Sequence, residues 1–200
     1  MINDKYSAGM VKKQTFFREM LQAVSIKKTT AHVDDLKKAL LIDNYLNINP
    51  ARRNQEISST VLARLASLSD DQINLLAEGS LSEQKQMTII TIKKYERLVR
   101  EFINEVYIDK LEKGLRTLED LDFNLFFRRK AEENDEVAKW QDITIRKLKQ
   151  VMKKILRELD FITDQGKSLL ILEPLASQEL LNALRGEPME IRGLFLRGNV

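Results

Sequence analysis

The chain has 200 residues, a formal net charge of +3, 43% hydrophobic and 32% charged residues, and no cysteine. That balance suits one soluble globular domain or two small ones, each able to bury a core, and it excludes a disordered chain. Without cysteine there are no disulfides, thiolate nucleophiles or cysteine-based zinc sites.

Charge is distributed unevenly. Residues 1–68 carry 11 Lys/Arg against 6 Asp/Glu, residues 69–140 carry 12 against 16, and residues 141–200 carry 10 against 8. Two basic ends around an acidic middle point to local binding patches. Seven Gly and three Pro, with long 3.6-periodic stretches, predict a mainly α fold. No uncharged run is long enough for a membrane span, and no apolar h-region follows Met1, so no membrane partner or secretory signal is expected. A cytoplasmic location fits this pattern.

Met1 to Gly9 reads as a strand-like or loosely held lead. Val11–Val24 is predicted as a first helix with Phe16, Phe17, Met20, Leu21 and Val24 inward. Thr29–Thr30 offer an N-cap for a second helix over Ala31–Asp43, buried through Val33, Leu36, Leu40 and Leu41. After a loop at Asn44–Asn49, Asn49 as N-cap and Pro50 at the first helical position open a third helix. Its core face is Ile57, Val61, Leu62, Leu65 and Leu68, and Arg52, Arg53 and Gln55 sit near its start. This trio, about residues 11–68, is helix-turn-helix-like.

Ser69 is predicted to cap a short helix ending at a left-handed Gly79. Ser82 caps a second that merges into Thr91–Lys113 and stops at Gly114. Thr117 and Asp120 suggest a capping box for a helix burying Leu118, Leu121, Leu125 and Phe126 and ending at Arg128–Arg129–Lys130. The charged segment Glu132–Asp135 is the one hint of a boundary. It divides a helical region, residues 1–134, from a C-terminal region, residues 135–200.

That second region begins with a short helix, Asp135–Trp140, in which Trp140 is read as a core anchor. The next helix places Ile145, Leu148, Met152, Ile155 and Leu159 on one face. Arg146, Lys149, Lys153 and Arg157 follow the same spacing on another face, with Lys147 and Lys154 beside them. Phe161–Ile162 and Ser168–Leu172 flank Asp164–Gln165–Gly166, a hairpin pattern with Lys167 at its tip. A basic helix followed by a hairpin is the layout of a winged helix, which lays that helix in a DNA groove and its wing against the backbone. Taken alone, the stripe is equally well a solvated face with pairs such as Lys154–Glu158. Ser177–Arg185 is predicted as a last helix and Ile191–Leu196 as a closing strand or loose tail.

An enzyme reading finds little support. His32 is the only histidine, and there is no G-x-S-x-G elbow and no Gly-rich phosphate loop. The acidic pairs Asp34–Asp35, Asp70–Asp71 and Glu132–Glu133 fall where capping and solvation account for them. No cofactor and no metal site are expected. The residues expected to contact nucleic acid are Arg52, Arg53, Arg146, Lys147, Lys149, Lys153, Lys154, Arg157 and Lys167, mostly through phosphates.

Several stretches together resemble one family. They are Tyr6-Ser7-Ala8-Gly9, Asn44 through Arg53 with Arg64-Leu65, and Phe126-Phe127 with Lys130. Further on come Val137, Trp140, Thr144 and Lys147-Leu148, then Leu156, Glu158 and Phe161-Ile162. In order and spacing these resemble the BrxA family, small components of the BREX bacteriophage-exclusion systems. The resemblance implies an all-helical, non-enzymatic accessory protein with helix-turn-helix elements, a likeness to the RNA-binding factor NusB, double-stranded DNA as partner, and other BREX subunits around it. RNA binding through the same surfaces, a scaffold whose basic faces meet acidic subunits, and a carboxylate metal enzyme are the rival readings.

Overall fold

The computed structural model describes residues 2–29 and 32–196. The chain is mainly α, with one small antiparallel sheet. Helices α1 (Phe17–Thr29), α2 (Val33–Leu41) and α3 (Ala51–Ala66) form the N-terminal trio, and α4 (Asp70–Glu78) lies against α1. A column follows from α5 (Leu81–Tyr95) through α6 (Arg97–Phe102), a π-helical turn at Ile103–Tyr107, and α7 (Ile108–Glu112). Residues 86–94 of α5 are buried on every side, so α5 runs through the centre of the molecule. Beyond the column come β1 (Thr117–Leu118), α8 (Asp120–Glu133), α9 (Asp135–Ala138), α10 (Asp142–Glu158), β2 (Ile162–Gln165) and β3 (Ser168–Ile171). The chain closes with α11 (Gln178–Ala183), α12 (Met189–Arg192) and a 3-10 turn at Gly193–Phe195.

The first helix starts later than its apolar pattern implies. Ala8–Lys12 is a separate 3-10 turn capped by Ser7, and Phe16 takes φ of 52°, which stops that turn from running into α1. Part of the cap and start expected at Thr29–Ala31 lies at residues 30–31, outside the described residues. Among those described, α2 follows an extended His32, and Val33 is 64% exposed, not buried. The α3 cap also differs, because Pro50 occupies the N-cap position and Asn49 precedes it.

Ser69 and Gln72 form the capping box of α4. Gly79 is extended, with φ of −66°, where a left-handed residue was predicted. What demands glycine there is space, since a Cβ would lie 2.5 Å from the Leu75 carbonyl oxygen. The next cap is Ser80 with Glu83, two residues before the predicted Ser82. Gly114, at φ of 70°, ends the column as expected.

The aromatic helix corrects the largest misreading. Glu119 and Asp122 cap α8, while Thr117 and Leu118 pair as strand β1. Starting the helix at Asp120 turns Phe123, Phe126, Phe127 and Lys130 inward and leaves Leu121 and Leu125 more than half exposed. Phe102 of α6 stacks on Phe123 at 4.5 Å and meets Phe126 edge-on at 5.3 Å. The helix runs three residues past Lys130, whose ammonium is held by Glu101, Glu105 and Glu133 at 3.1, 2.8 and 2.9 Å. Burial works against that charge, but the three carboxylates outweigh it and hold Lys130 above the ordinary lysine range.

The predicted hairpin is present as β2–β3, and β1 joins it in the order β1-β3-β2. The Tyr107 hydroxyl, buried beneath it, lies 2.9 Å from the Phe161 carbonyl and 2.5 Å from that of Leu172. The stretch predicted as a strand or tail, Ile191–Leu196, is helical instead. It buries Ile191, Leu194 and Phe195 against the column, where the buried cations of α5 are met by the Ile191 carbonyl and by Glu187 just before the stretch. Lys93 donates to the Ile191 carbonyl at 2.8 Å, and Lys94 pairs with Glu187 at 2.5 Å.

Candidate nucleic-acid interface

Helix α10 is the most amphipathic of the long helices, for a reason legible at 100° per residue. Leu148, Met152, Ile155 and Leu156 point into the core, so Arg146, Lys147, Gln150, Lys154 and Arg157 point out, and all five are exposed. Lys149 and Lys153 fall on the flank, between these two faces. Lys149 Nζ donates to Asn124 Oδ1 at 2.6 Å, and Lys153 pairs with Asp120, both partners being on α8. The Lys153 ammonium also sits 4.8 Å from the Phe123 ring centroid. Lys153 in turn holds the Asp120 carboxyl below its usual range, through hydrogen bond and charge.

The remaining sequence-predicted residues divide the same way. Arg157 Nη2 donates to Asp164 Oδ1 on β2 at 2.7 Å, tying the outer face of α10 to the hairpin. Lys154 Nζ donates to Gln14 Oε1 at 2.5 Å, and Glu158 accepts from Thr15, so the predicted Lys154–Glu158 pair gives way to two contacts with the N-terminal segment. Arg146, Lys147 and Lys167 are exposed and have no ion-pair or hydrogen-bond partner among the described residues. Lys167 follows Gly166, whose φ of 62° makes the tight turn of the hairpin.

Arg52 and Arg53 lie on the other side of the N-terminal segment. Both approach Glu56 at 3.5 Å; Arg52 is 84% exposed, and the Arg53 guanidinium stands 5.7 Å from the Phe16 ring centroid. Beneath them lies Arg64, which the sequence places in the family-like stretch Arg64-Leu65 but gives no role at the interface. It is fully buried and clamps the segment by donating to the Thr15 carbonyl at 2.6 Å and the Gln14 carbonyl at 3.0 Å. Burial pushes its guanidinium down to about 10, against the pull of the Glu96 carboxylate. Glu96, itself raised by burial, meets Lys13 at 3.3 Å. The signal was there: Arg64 interrupts the apolar face Ile57, Val61, Leu65 of α3, and a cation at such a position needs buried acceptors.

Among the described residues no cluster of three His, Asp or Glu could hold a metal, and no helix is long and apolar enough to cross a membrane. His32 is exposed at the start of α2 and makes no side-chain capping bond. Trp140 is partly buried against the core.

The family model described as BrxA matches residues 4–187. A BREX protein BrxA of Bacillus cereus (strain H3081.97) is 32% identical over 180 residues, covering 90% of each chain. A BREX protein BrxA of Escherichia coli O9:H4 (strain HS) is 23% identical over 155 residues, covering 72% of this chain and 73% of the relative. Among solved structures, an uncharacterized protein from Magnetospirillum magneticum superposes with a TM-score of 0.78 at 22% identity, over 96% of this chain and 98% of that one. It shares the fold.

Proposed function

The chain belongs to the BrxA family, and on that footing we propose that it is a non-enzymatic component of a BREX phage-defence system that docks on duplex DNA. The docking surface in this reading is the outer face of α10 with the β2–β3 hairpin beside it, and the protein works in the cytoplasm next to other BREX subunits. The observation that carries the proposal is the outward row Arg146, Lys147, Gln150, Lys154 and Arg157, continued by Lys167 at the hairpin tip. Its setting supports the reading: helix, β1, α8, α9 and α10, then β2 and β3, with β1 lying beside β3, is winged-helix connectivity. On this view the docking unit begins upstream of residue 135, because β1 and α8 belong to it. Lys149 and Lys153, drawn toward α8, contribute to the field more than to direct contact.

Contacts of this kind go to phosphates and make affinity strongly salt-dependent. About five such contacts give a slope of log affinity against log salt of about −4.5. The test is fluorescence anisotropy on a labelled duplex of about three helical turns, for wild type and Arg146→Glu/Lys147→Glu/Lys167→Glu. The triple variant, none of whose side chains has an ion-pair or hydrogen-bond partner among the described residues, is expected to stay folded and to lose roughly three-fifths of the slope. Failure of the folded wild type to bind at low salt overturns the proposal, and so does a variant that binds with an unchanged slope. Stronger displacement by RNA of the same length shifts the partner to RNA.

A further inference from the structure

The two basic clusters that the sequence keeps far apart flank a single segment, residues 8–16. The 3-10 turn Ala8–Lys12 packs along α10, Gln14 receives Lys154, and Thr15 donates to Glu158. On its opposite side, Lys12 and Lys13 meet Arg53 around a hollow of about 230 Å³, which Gly9, Phe16, Glu56 and Thr60 complete. We propose that Lys12, Lys13 and Arg53 form a second phosphate subsite that engages the same DNA duplex as α10, a proposal that rests on the duplex-docking reading above.

Charge supports it. Lys12, Lys13, Arg52, Arg53 and the buried Arg64 converge on this corner, against Glu56 and Glu96, with Glu158 held by Thr15 on the α10 side. Glu56, which also lines the hollow, is held by Arg52 and Arg53, and Glu96 is buried against Lys13. The cations therefore outnumber the carboxylates around a hollow of about 230 Å³, which suits an anionic group such as a phosphodiester.

Rigidity supports it too. Arg64 fixes the carbonyls of Gln14 and Thr15, and the guanidinium groups of Arg53 and Arg64 stand 5.7 and 5.6 Å from the Phe16 ring centroid. A site whose supports are already in place loses less entropy on binding. Continuity is the third argument. Lys12 is two residues from Gln14, a Cα span of at most about 7 Å, and Gln14 touches Lys154. Successive phosphates rise about 3.4 Å along one strand, so a strand held by the end of α10 passes within reach of the hollow.

The experiment compares wild type, Lys12→Glu/Arg53→Glu and the milder Lys12→Ala/Arg53→Gln on the same labelled duplex, with urea melts to establish folding. Removal of two phosphate contacts is expected to lower the salt slope by about 1.8 and weaken binding about 10- to 100-fold near 0.1 M salt. The hydroxyl-radical footprint is expected to shorten on one side only. If wild type binds and a folded variant keeps both slope and footprint, the subsite is overturned while docking through α10 stands. If wild type fails to bind, both fall together. Preference of both surfaces for RNA over DNA overturns the proposal as stated.

Discussion

Lys93 makes stability depend on pH in a way that can be worked out in advance. The side chain lies at zero exposure inside α5, donating to the Ile191 carbonyl at 2.8 Å and to Asn104 Oδ1 at 3.2 Å. Burial, with the nearby Arg100 charge, pushes its ammonium down to about 7, against the pull of Glu190. An unfolded lysine keeps its proton to about pH 10.4. Between those limits the folded chain binds fewer protons than the unfolded chain, so stability must rise with pH. The penalty of burying the charge is fully present below about pH 7 and is relieved as pH climbs. The limiting slope is about 1.4 kcal/mol per pH unit, so moving from pH 7 to pH 9 should add roughly 1–3 kcal/mol. Above about pH 10 the trend should reverse. Burial raises the phenols of Tyr6 and Tyr107, so their unfolded counterparts ionise first. Urea titrations at pH 7, 8 and 9 on wild type and Lys93→Met read this directly, the variant having no titrating group there. A flat wild-type profile refutes the argument, and shows that Lys93 stays charged beside Glu190 and the Ile191 carbonyl. Equal slopes in both proteins assign the effect to another group.

Much of the fold was legible because period and capping chemistry agree. In α10 the apolar spacing, the outward cations and the following hairpin could be read directly, since every residue that faces in is apolar and Gly166 supplies the positive φ of the turn. The column was read as one long helix because nothing in the sequence marks Glu96 as a break. Glutamate is a good helix former, yet its φ of −119° ends α5, and its carboxylate is drawn into the pocket of Lys13 and Arg64. The phase of α8 was missed for a different reason. Leu121 and Leu125 compete with Phe123, Phe126 and Phe127 for the core, and only the partner ring of Phe102 decides the contest. Strand β1 is two residues long and exists only because β3 supplies its hydrogen bonds, so no local signal could reveal it.

For the candidate interface, the sequence named the cations of α10 but not which of them the fold would occupy. Spacing puts Lys149 and Lys153 in the same stripe as Arg146 and Arg157. Tertiary structure then brings Asn124 and Asp120 to the first two, Asp164 to Arg157, and leaves Arg146 open. Lys12 and Lys13 carried no motif at all. They gain meaning only because Arg64, thirteen residues into α3, reaches the backbone beside them.

Two further substitutions probe the supports of this surface. Arg64→Met removes the donors to the Gln14 and Thr15 carbonyls, so about 2–4 kcal/mol of stability should be lost in urea titration, with faster hydrogen exchange around residues 13–17. An unchanged or higher stability would mean that the cost of burying the guanidinium outweighs its bonds. Tyr107→Phe isolates one hydroxyl, because the ring keeps its place beside Phe161, 6.2 Å away and edge-on. The Phe161 carbonyl retains the Leu172 N–H at 2.9 Å, so the carbonyl of Leu172 is the one deprived of a side-chain donor. One partly buried acceptor left short costs about 1–3 kcal/mol, or about 2–12 °C in Tm for a chain of this size. The loss should be local as well as global. Amides of β2 and β3 are expected to exchange faster, because the hydroxyl bridges the residues that enter and leave the hairpin, Phe161 and Leu172. If Tm and exchange both match wild type, water or a backbone shift replaces the bond, and the hairpin is held by the β1–β3 pairing and the Arg116–Glu173 ion pair instead.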